Sequence, residues 1–302
     1  MALEAEKPAP GVAVDVAPGI RRVLAPNPGP MTHWGTNSYV LGRTDVAVID
    51  PGPDSAAHRA ALLAAVADAR VHTVLVTHAH RDHSAGARAF AAEAGAPVLA
   101  FGPPAAGRSA VMARFAASGA DTAGGEGVDA EFRPDGTLGD GARIDYGEGS
   151  LEVVHCPGHF GGHLAFALGD ILFSGDHVMG WSTTLISPPD GDVADFLASC
   201  ARLRARADRL YLPGHGPPVT DPAARLDWLV AHRAEREAEV LAALSQGPAR
   251  ADDIARAIYR DIPGGLLKAA TRNVLAHLID LHERGRVAAA PAPSDDASWH
   301  LV

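Results

Sequence analysis

Between Thr77 and His83 the chain reads Thr-His-Ala-His-Arg-Asp-His, which sets three imidazoles and a carboxylate at spacings i, i+2, i+4 and i+5. Imidazole nitrogens and a carboxylate suit zinc, and the same donors suit other divalent metals. In a turn of this length His78 and His80 can reach one point while Asp82 and His83 reach a second nearby. Four ligands cannot complete two metal sites, so partners are required further along. They are present: His159 in Cys-Pro-Gly-His, Asp176 in Phe-Ser-Gly-Asp and His215 in Pro-Gly-His-Gly, each reached from a short apolar strand through a glycine turn. Glycine there lets the backbone come close to a metal. The expected first site is His78, His80 and His159, and the second is Asp82, His83 and His215. Asp176 is expected to bridge the two. Asp82 and Asp176 are also the candidate catalytic residues. Two ions about 3.5–4 Å apart can share a water and lower its pKa from 15.7 towards ~7, so the hydroxide becomes the nucleophile and no serine or cysteine is needed.

The positioning elements follow from hydrophobic patterning. Val71 to Val76 is β-branched and short, as a buried strand is. Behind the histidines an alanine-rich helix runs to Glu93 and stops at Gly95. The polar cluster therefore occupies a strand-to-helix turn, where α/β scaffolds present reactive groups. Further strands are expected at Ile20–Leu24, Asn37–Leu41, Val46–Asp50, Pro97–Ala100, Leu151–His155, Leu164–Leu168, Asp170–Phe173 and Arg209–Leu212. Helices are expected at His58–Ala69 and Val193–Arg206. Phe101 to Gly149 is less regular, with turn signals at Gly124–Gly127 and Pro134–Gly136, and reads as a lid or excursion near the site. These halves predict two mixed sheets packed together with helices outside.

From Asp221 the character changes. Asp221 caps a helix with Pro222 at its first position. Helices to about Ser245, over Ala251–Tyr259 and over Leu266–Arg284 then precede a hairpin, which is a winged-helix pattern. The expected division is a catalytic domain over 1–220 and a winged-helix-like domain over 221–302. Ten Lys/Arg face eleven Asp/Glu from Pro222 onward. A module that binds duplex by neutralising phosphates is clearly basic. Lys268 and Arg272 are the only obvious basic pair on the candidate recognition helix, so DNA is disfavoured. A packing module, or a wall narrowing the cleft, fits better.

Composition sets further bounds. The 302 residues are 47% apolar, enough for a sizeable core, and carry a net charge of −10. That acidity weakly favours a small-molecule substrate over a polyphosphate chain. Two cysteines, Cys156 and Cys200, rule out a disulfide framework and form no Cys-x-x-Cys pair. The start shows no basic region followed by an apolar run, and no apolar run reaches membrane-spanning length, so a cytoplasmic protein without membrane contact is expected. Nothing excludes an oligomer.

The set His78-x-His80-x-Asp82-His83, His159, Asp176 and His215, with Asp50 ending an earlier strand, resembles the metallo-β-lactamase superfamily over Ile20 to about Val219. The resemblance implies an αββα sandwich with two zinc ions between the sheet edges, and a supporting role for Asp50 beside the metals. A strand-end turn former before Pro51 is the other reading of Asp50. Gly35-Thr36-Asn37-Ser38-Tyr39, His80–Ser84, Tyr211–Pro217 and the C-terminal winged helix are similar to the β-lactamase-like protein 2 group. Its members include an endoribonuclease, which makes single-stranded RNA an alternative substrate. The motifs also resemble hydroxyacylglutathione hydrolases, which cleave thioesters but end in a different helical domain. Around the ligands, His163 either orients a ligand or touches substrate, or is a satisfied strand histidine, and His177 and Cys156 read as structural. Trp181-Ser182-Thr183-Thr184 either shapes the pocket mouth or is surface turn chemistry. The expected activity is hydrolysis of a small-molecule ester or thioester. The alternatives are a metal-dependent endoribonuclease and, lower, a non-enzymatic winged-helix metal sensor.

Overall fold

The computed structural model describes residues 7–119 and 127–302. Alternating apolar positions build a first sheet from β1 (Ala13–Ala17), β2 (Ile20–Leu24), β3 (Asn37–Leu41) and β4 (Asp45–Ile49), which run antiparallel in sequence order. Helix α1 (Ala56–Ala65) then returns the chain to β5 (Arg70–Leu75), parallel to β4. Short α2 (Arg81–Ser84) and α3 (Ala87–Ala94) lead to β6 (Val98–Ala100). Gly95 ends α3 in the left-handed conformation at φ 68, which glycine adopts without a Cβ penalty. Helix α4 (Ala110–Ala117) and the parallel β7 (Gly136–Thr137) complete this half.

The second half repeats the plan. The antiparallel β8 (Arg143–Asp145), β9 (Ser150–His155), β10 (Leu164–Leu168) and β11 (Ile171–Gly175) precede α5 (Val193–Ala205), and β12 (Leu210–Pro213) pairs parallel to β11. Leu168 pairs with Ile171, so Gly169 and Asp170 form the tight hairpin turn read from the sequence. Strand alternation sorts side chains to two faces. In β4, Ala47 and Ile49 join Phe166, Phe173 and Leu212 of the second sheet in an inter-sheet core, while Val46 and Val48 pack outward with Leu62 of α1 and Phe90 of α3. On the far side Leu172 packs with Phe196 and Cys200 of α5. The result is the expected helix–sheet–sheet–helix sandwich.

Asp221 accepts from the Ala224 amide and starts α6 (Pro222–Leu244). Next come β13 (Ala249–Arg250), α7 (Ala251–Ile258), α8 (Leu267–Glu283), β14 (Val287–Ala290) and β15 (Ser298–Leu301). Helix α6 serves two cores. Leu226 and Leu229 pack into the sandwich, whereas Val240 and Leu244 pack with Ile254, Leu278 and Trp299 of the C-terminal segment.

The stretch read as a lid or excursion near the site is packed against the rest of the chain rather than free to move as a lid. Met112 and Phe115 of α4 enter the C-terminal core. The Arg81 amide donates to Gly127 O and the Asp129 amide to Ala79 O, so residues 127–129 brace the histidine turn from behind. Of the expected loop at Gly124–Gly127, the first three residues lie outside the described residues.

Candidate metal centre

Asp50 follows β4, His78 follows β5, Asp176 follows β11 and His215 follows β12; the two strands of each pair are parallel. All four therefore lie at carboxyl ends of strands, where backbone groups leave the ladders and side chains can converge. Three overlapping donor groups form, each with its ligand atoms within 4.8 Å of one another: His78, His80 and His159; His78, His83 and Asp176; Asp82, His83 and His215. These are the seven residues singled out in the sequence. Asp176 Oδ1 lies 3.4 Å from His83 Nε2, and its Oδ2 lies 3.3 Å from His215 Nε2 and 4.0 Å from His159 Nε2. Its carboxylate thus faces both triads.

Hydrogen bonds behind the rings fix which nitrogens point inward. Thr77 Oγ1 donates to Asp50 Oδ2 at 2.8 Å, so it accepts from His78 Nδ1 at 3.0 Å. His83 Nδ1 donates to Asp50 Oδ2 at 2.9 Å, His159 Nδ1 to Leu185 O at 2.7 Å and His215 Nδ1 to Gly35 O at 3.1 Å. Each of these four rings keeps its Nε2 lone pair for the centre, as an outer partner does for a metal-bound histidine. His83 Nε2 and His215 Nε2 then face each other at 3.2 Å. Two lone pairs cannot bond, so a proton or a cation must lie between them.

The donor spacing fits a cation. Tetrahedral zinc with Zn–N of about 2.0–2.1 Å holds its ligand nitrogens roughly 3.3 Å apart. His80 Nδ1 lies 2.8 Å from His78 Nε2 and 3.2 Å from His159 Nε2, and His215 Nε2 lies 3.1 Å from Asp82 Oδ2. Asp176 Oδ1 is buried with no hydrogen-bond partner, a costly state that a cation relieves.

Charge differs across the site. Burial, with His159 nearby, holds His80 down at about 3, and burial likewise lowers His78 and His159, so this triad is neutral at pH 7. Burial also disfavours charge on His215, but Asp176 and Asp82 outweigh it and raise that ring to about 10. Burial opposes ionisation of Asp176 too, and His215 and His83 overcome it, keeping the carboxylate ionised.

Two glycines are dictated by close approach. A Cβ on Gly214 would stand 2.4 Å from Asp176 Oδ1, and one on Gly175, at φ 49, would stand 2.6 Å from His163 Nε2. His163 accepts from the Asp176 amide at 3.2 Å and stacks on His78 at 5.1 Å, so it supports two of the donors from behind. Cys156 is buried with its Sγ 3.2 Å from His163 Nδ1, and His177 packs on Phe196 at 4.6 Å, outside the donor groups. Asp50 also accepts from the Thr77 amide at 2.8 Å, so it does more than end a strand.

Several supports were not assigned a role from the sequence. Asn37 Nδ2 donates to Pro213 O and Gly216 O at 3.0 and 2.9 Å, and Tyr39 Oη to Pro213 O at 2.7 Å, tying the first sheet to the turn that carries His215. The Thr36-Asn37-Ser38 run was the available signal. Thr184 Oγ1 bonds the carbonyls of Asp176 and His177, so its hydroxyl serves the backbone. Trp181 stacks on His33 at 4.6 Å beside the cavity mouth.

The donors open into a cavity of about 420 Å³. Its walls come from both parts of the chain: Met31, Met179 and Leu185 on one side, Tyr259, Ile262 and Leu266 of the C-terminal segment on the other. Arg81 is the sole cationic Lys/Arg side chain among its described lining residues. Arg272 of the expected recognition helix is buried, bonding Ser187 Oγ at 3.2 Å and pairing with Asp295.

An αββα sandwich that gathers imidazoles and carboxylates at its strand ends is the architecture of metal-dependent hydrolases. Sequence comparison carries this to a family. The model described as "Metallo-beta-lactamase superfamily" matches residues 31–215, and the chain belongs to that superfamily. A second model, "Beta-lactamase associated winged helix domain", matches residues 251–299. The chain is 27% identical to a Drosophila melanogaster beta-lactamase-like protein 2 homolog, over 91% of each chain. It is 29% identical to an Aspergillus fumigatus atrochrysone carboxyl ACP thioesterase, over 76% of this chain and 67% of that one. A metallo-beta-lactamase family protein from Thermus thermophilus superposes with a TM-score of 0.76 at 26% identity, covering 95% of this chain and all of the other. The fold family implies divalent metal binding, and the donor set fits it.

Proposed function

We propose that this chain is a dinuclear zinc hydrolase that cleaves an ester or thioester bearing an apolar group. His78, His80 and His159 would hold one ion, Asp82, His83 and His215 the other, with Asp176 reaching both. When bound, such a pair supplies an ionised water and stabilises negative charge developing on the carbonyl oxygen. The protein's share is orientation and exclusion of water. Asp50, Leu185 O and Gly35 O lock the imidazole tautomers, and Met31, Met179, Ile262 and Leu266 line a cleft that receives an apolar substrate.

One observation carries the choice of substrate: the wall contributed by the C-terminal segment is mainly apolar, and among the described lining residues Arg81 is the sole arginine or lysine. An RNA strand needs a basic track and stacking platforms along its path. A thioesterase among the relatives agrees with the apolar reading. The winged-helix match and the beta-lactamase-like protein 2 relative keep single-stranded RNA as the second reading. The test is one metal-quantified preparation of the whole chain, given acyl thioesters and labelled single-stranded RNA. Thioester turnover without RNA cleavage supports the proposal. RNA cleavage abolished by Asp82→Ala, with no thioester turnover, reverses the order.

A further inference from the structure

We infer that Arg233 on α6 and Asn273 on α8 are positioning residues for the ligands His159 and Asp176, although both lie far from them in sequence. The inference rests on the reading that these two side chains hold metal. The segment from His177 to Ser187 connects them. Thr184 Oγ1 bonds the Asp176 carbonyl at 3.2 Å, and Leu185 O orients the His159 ring at 2.7 Å. C-terminal helices hold that segment at both flanks of Leu185. Arg233 donates to Thr184 O, and the Ile186 amide donates to Asn273 Oδ1 at 3.0 Å. The two helices are joined at the same atom, because Arg233 Nη1 also donates to Asn273 Oδ1 at 3.2 Å. Arg225 adds a bond to Met179 O at 2.7 Å, and Arg272 one to Ser187 Oγ at 3.2 Å.

Arg233 is an unusual residue to spend on a structural contact. It is 2% exposed, no carboxylate pairs with it among the described residues, and Phe196 lies under its guanidinium at 5.2 Å. Burial lowers it to about 10, so it still carries its charge at neutral pH. A planar fork can meet a carbonyl and an amide oxygen together, which a lysine ammonium on a flexible stem does poorly. A ligand held by a carbonyl is only as well placed as that carbonyl. Loosening residues 184 and 186 lets Leu185 O turn, and the His159 ring turns with it.

The experiment is zinc affinity of the full-length chain, measured by competition with a chromophoric chelator, alongside Tm. The variants are Asn273→Ala and Arg233→Lys, with Val274→Ala as control; Val274 is buried in the C-terminal core and makes no bond to the segment. Zinc should bind about 10-fold more weakly in Asn273→Ala, the range seen when outer partners of ligands are removed. The double variant should add little, because both side chains act through one network. Val274→Ala should lower Tm while zinc affinity holds. Asn273 is only partly buried, so its variant serves even where Arg233→Lys does not fold. Affinity within 2-fold of wild type in a folded Asn273→Ala overturns the inference, as does an equal loss in Val274→Ala. A wild-type chain that takes up no zinc overturns the proposed function itself, and is seen before any variant is compared.

Discussion

The two sets of candidate ligands are held in place differently. His78, His80, Asp82 and His83 come from one turn, and Asp50 at the end of the adjacent parallel strand fastens it through the Thr77 amide, the Thr77 hydroxyl and the His83 ring. His159 and Asp176 are fastened from outside the sandwich, through a segment held by α6 and α8. The first set needs only neighbouring strands in register. The second depends on α6 and α8, and α8 also lends Ala269, Ala270 and Asn273 to the cavity lining, so one helix serves both the donors and the wall.

The largest effect is expected at Asp176, whose carboxylate faces donors of both triads. Asp176→Ala should lose one bound ion and reduce turnover by ~100-fold or more, beyond what loss of an outer partner costs. Two ions at full occupancy in that variant would refute its shared role. Asp50→Ala comes next. It removes three bonds to the turn at once, and a 10–100-fold loss of metal affinity is expected. If chelator competition ranks it below Asn273→Ala, the local support is the weaker one and the contrast is reversed.

How much of this was legible in the sequence follows the same division. The histidine turn announces itself because its four donors fall within six residues, and His159, Asp176 and His215 each follow a strand and a glycine. The Asp221–Pro222 helix start and the Gly169–Asp170 hairpin were equally plain, since caps and tight turns are local chemistry. Arg233 and Asn273 gave no signal, because their partners lie 49 and 87 residues away and are backbone atoms. Arg272 reads as a basic surface residue until its burial against Ser187 and Asp295 is seen. Strand β1 lies close behind Pro8 and Pro10, and although Val12, Val14 and Val16 alternate, three of its five side chains are exposed, so the pattern marks no core face. Helix α4 was missed in a stretch rich in turn residues, although Ser109 caps it by accepting from the Met112 amide.

The cavity wall gives a smaller expected effect. Leu266→Asp should raise KM for an apolar thioester by about 10-fold and leave the metal content unchanged, as expected for loss of roughly 1–2 kcal/mol of apolar contact. Steady-state kinetics beside elemental analysis checks both halves, and an unchanged KM would remove the wall from substrate binding.

The last effect concerns stability and pH, away from the donors and the cavity. His277, on α8, is pushed down to about 3 by burial and by Arg233, Arg284, His232 and Arg236. The unfolded ring titrates near ~6.5, so below that pH the unfolded state binds a proton that the folded state refuses. Its contribution to stability is complete above ~6.5 and is lost as pH falls, by about 2 kcal/mol at pH 5. Denaturant unfolding of wild type and His277→Leu at pH 7 and pH 5 should show a shallower decline in the variant. Parallel declines would mean that other groups set the slope.

Anomalous diffraction from crystals of the whole chain grown with zinc tests the central claim most directly. Two peaks are expected, one among His78, His80 and His159 and the other among Asp82, His83 and His215, with Asp176 reaching both. A single peak, or none between those side chains, would contradict it.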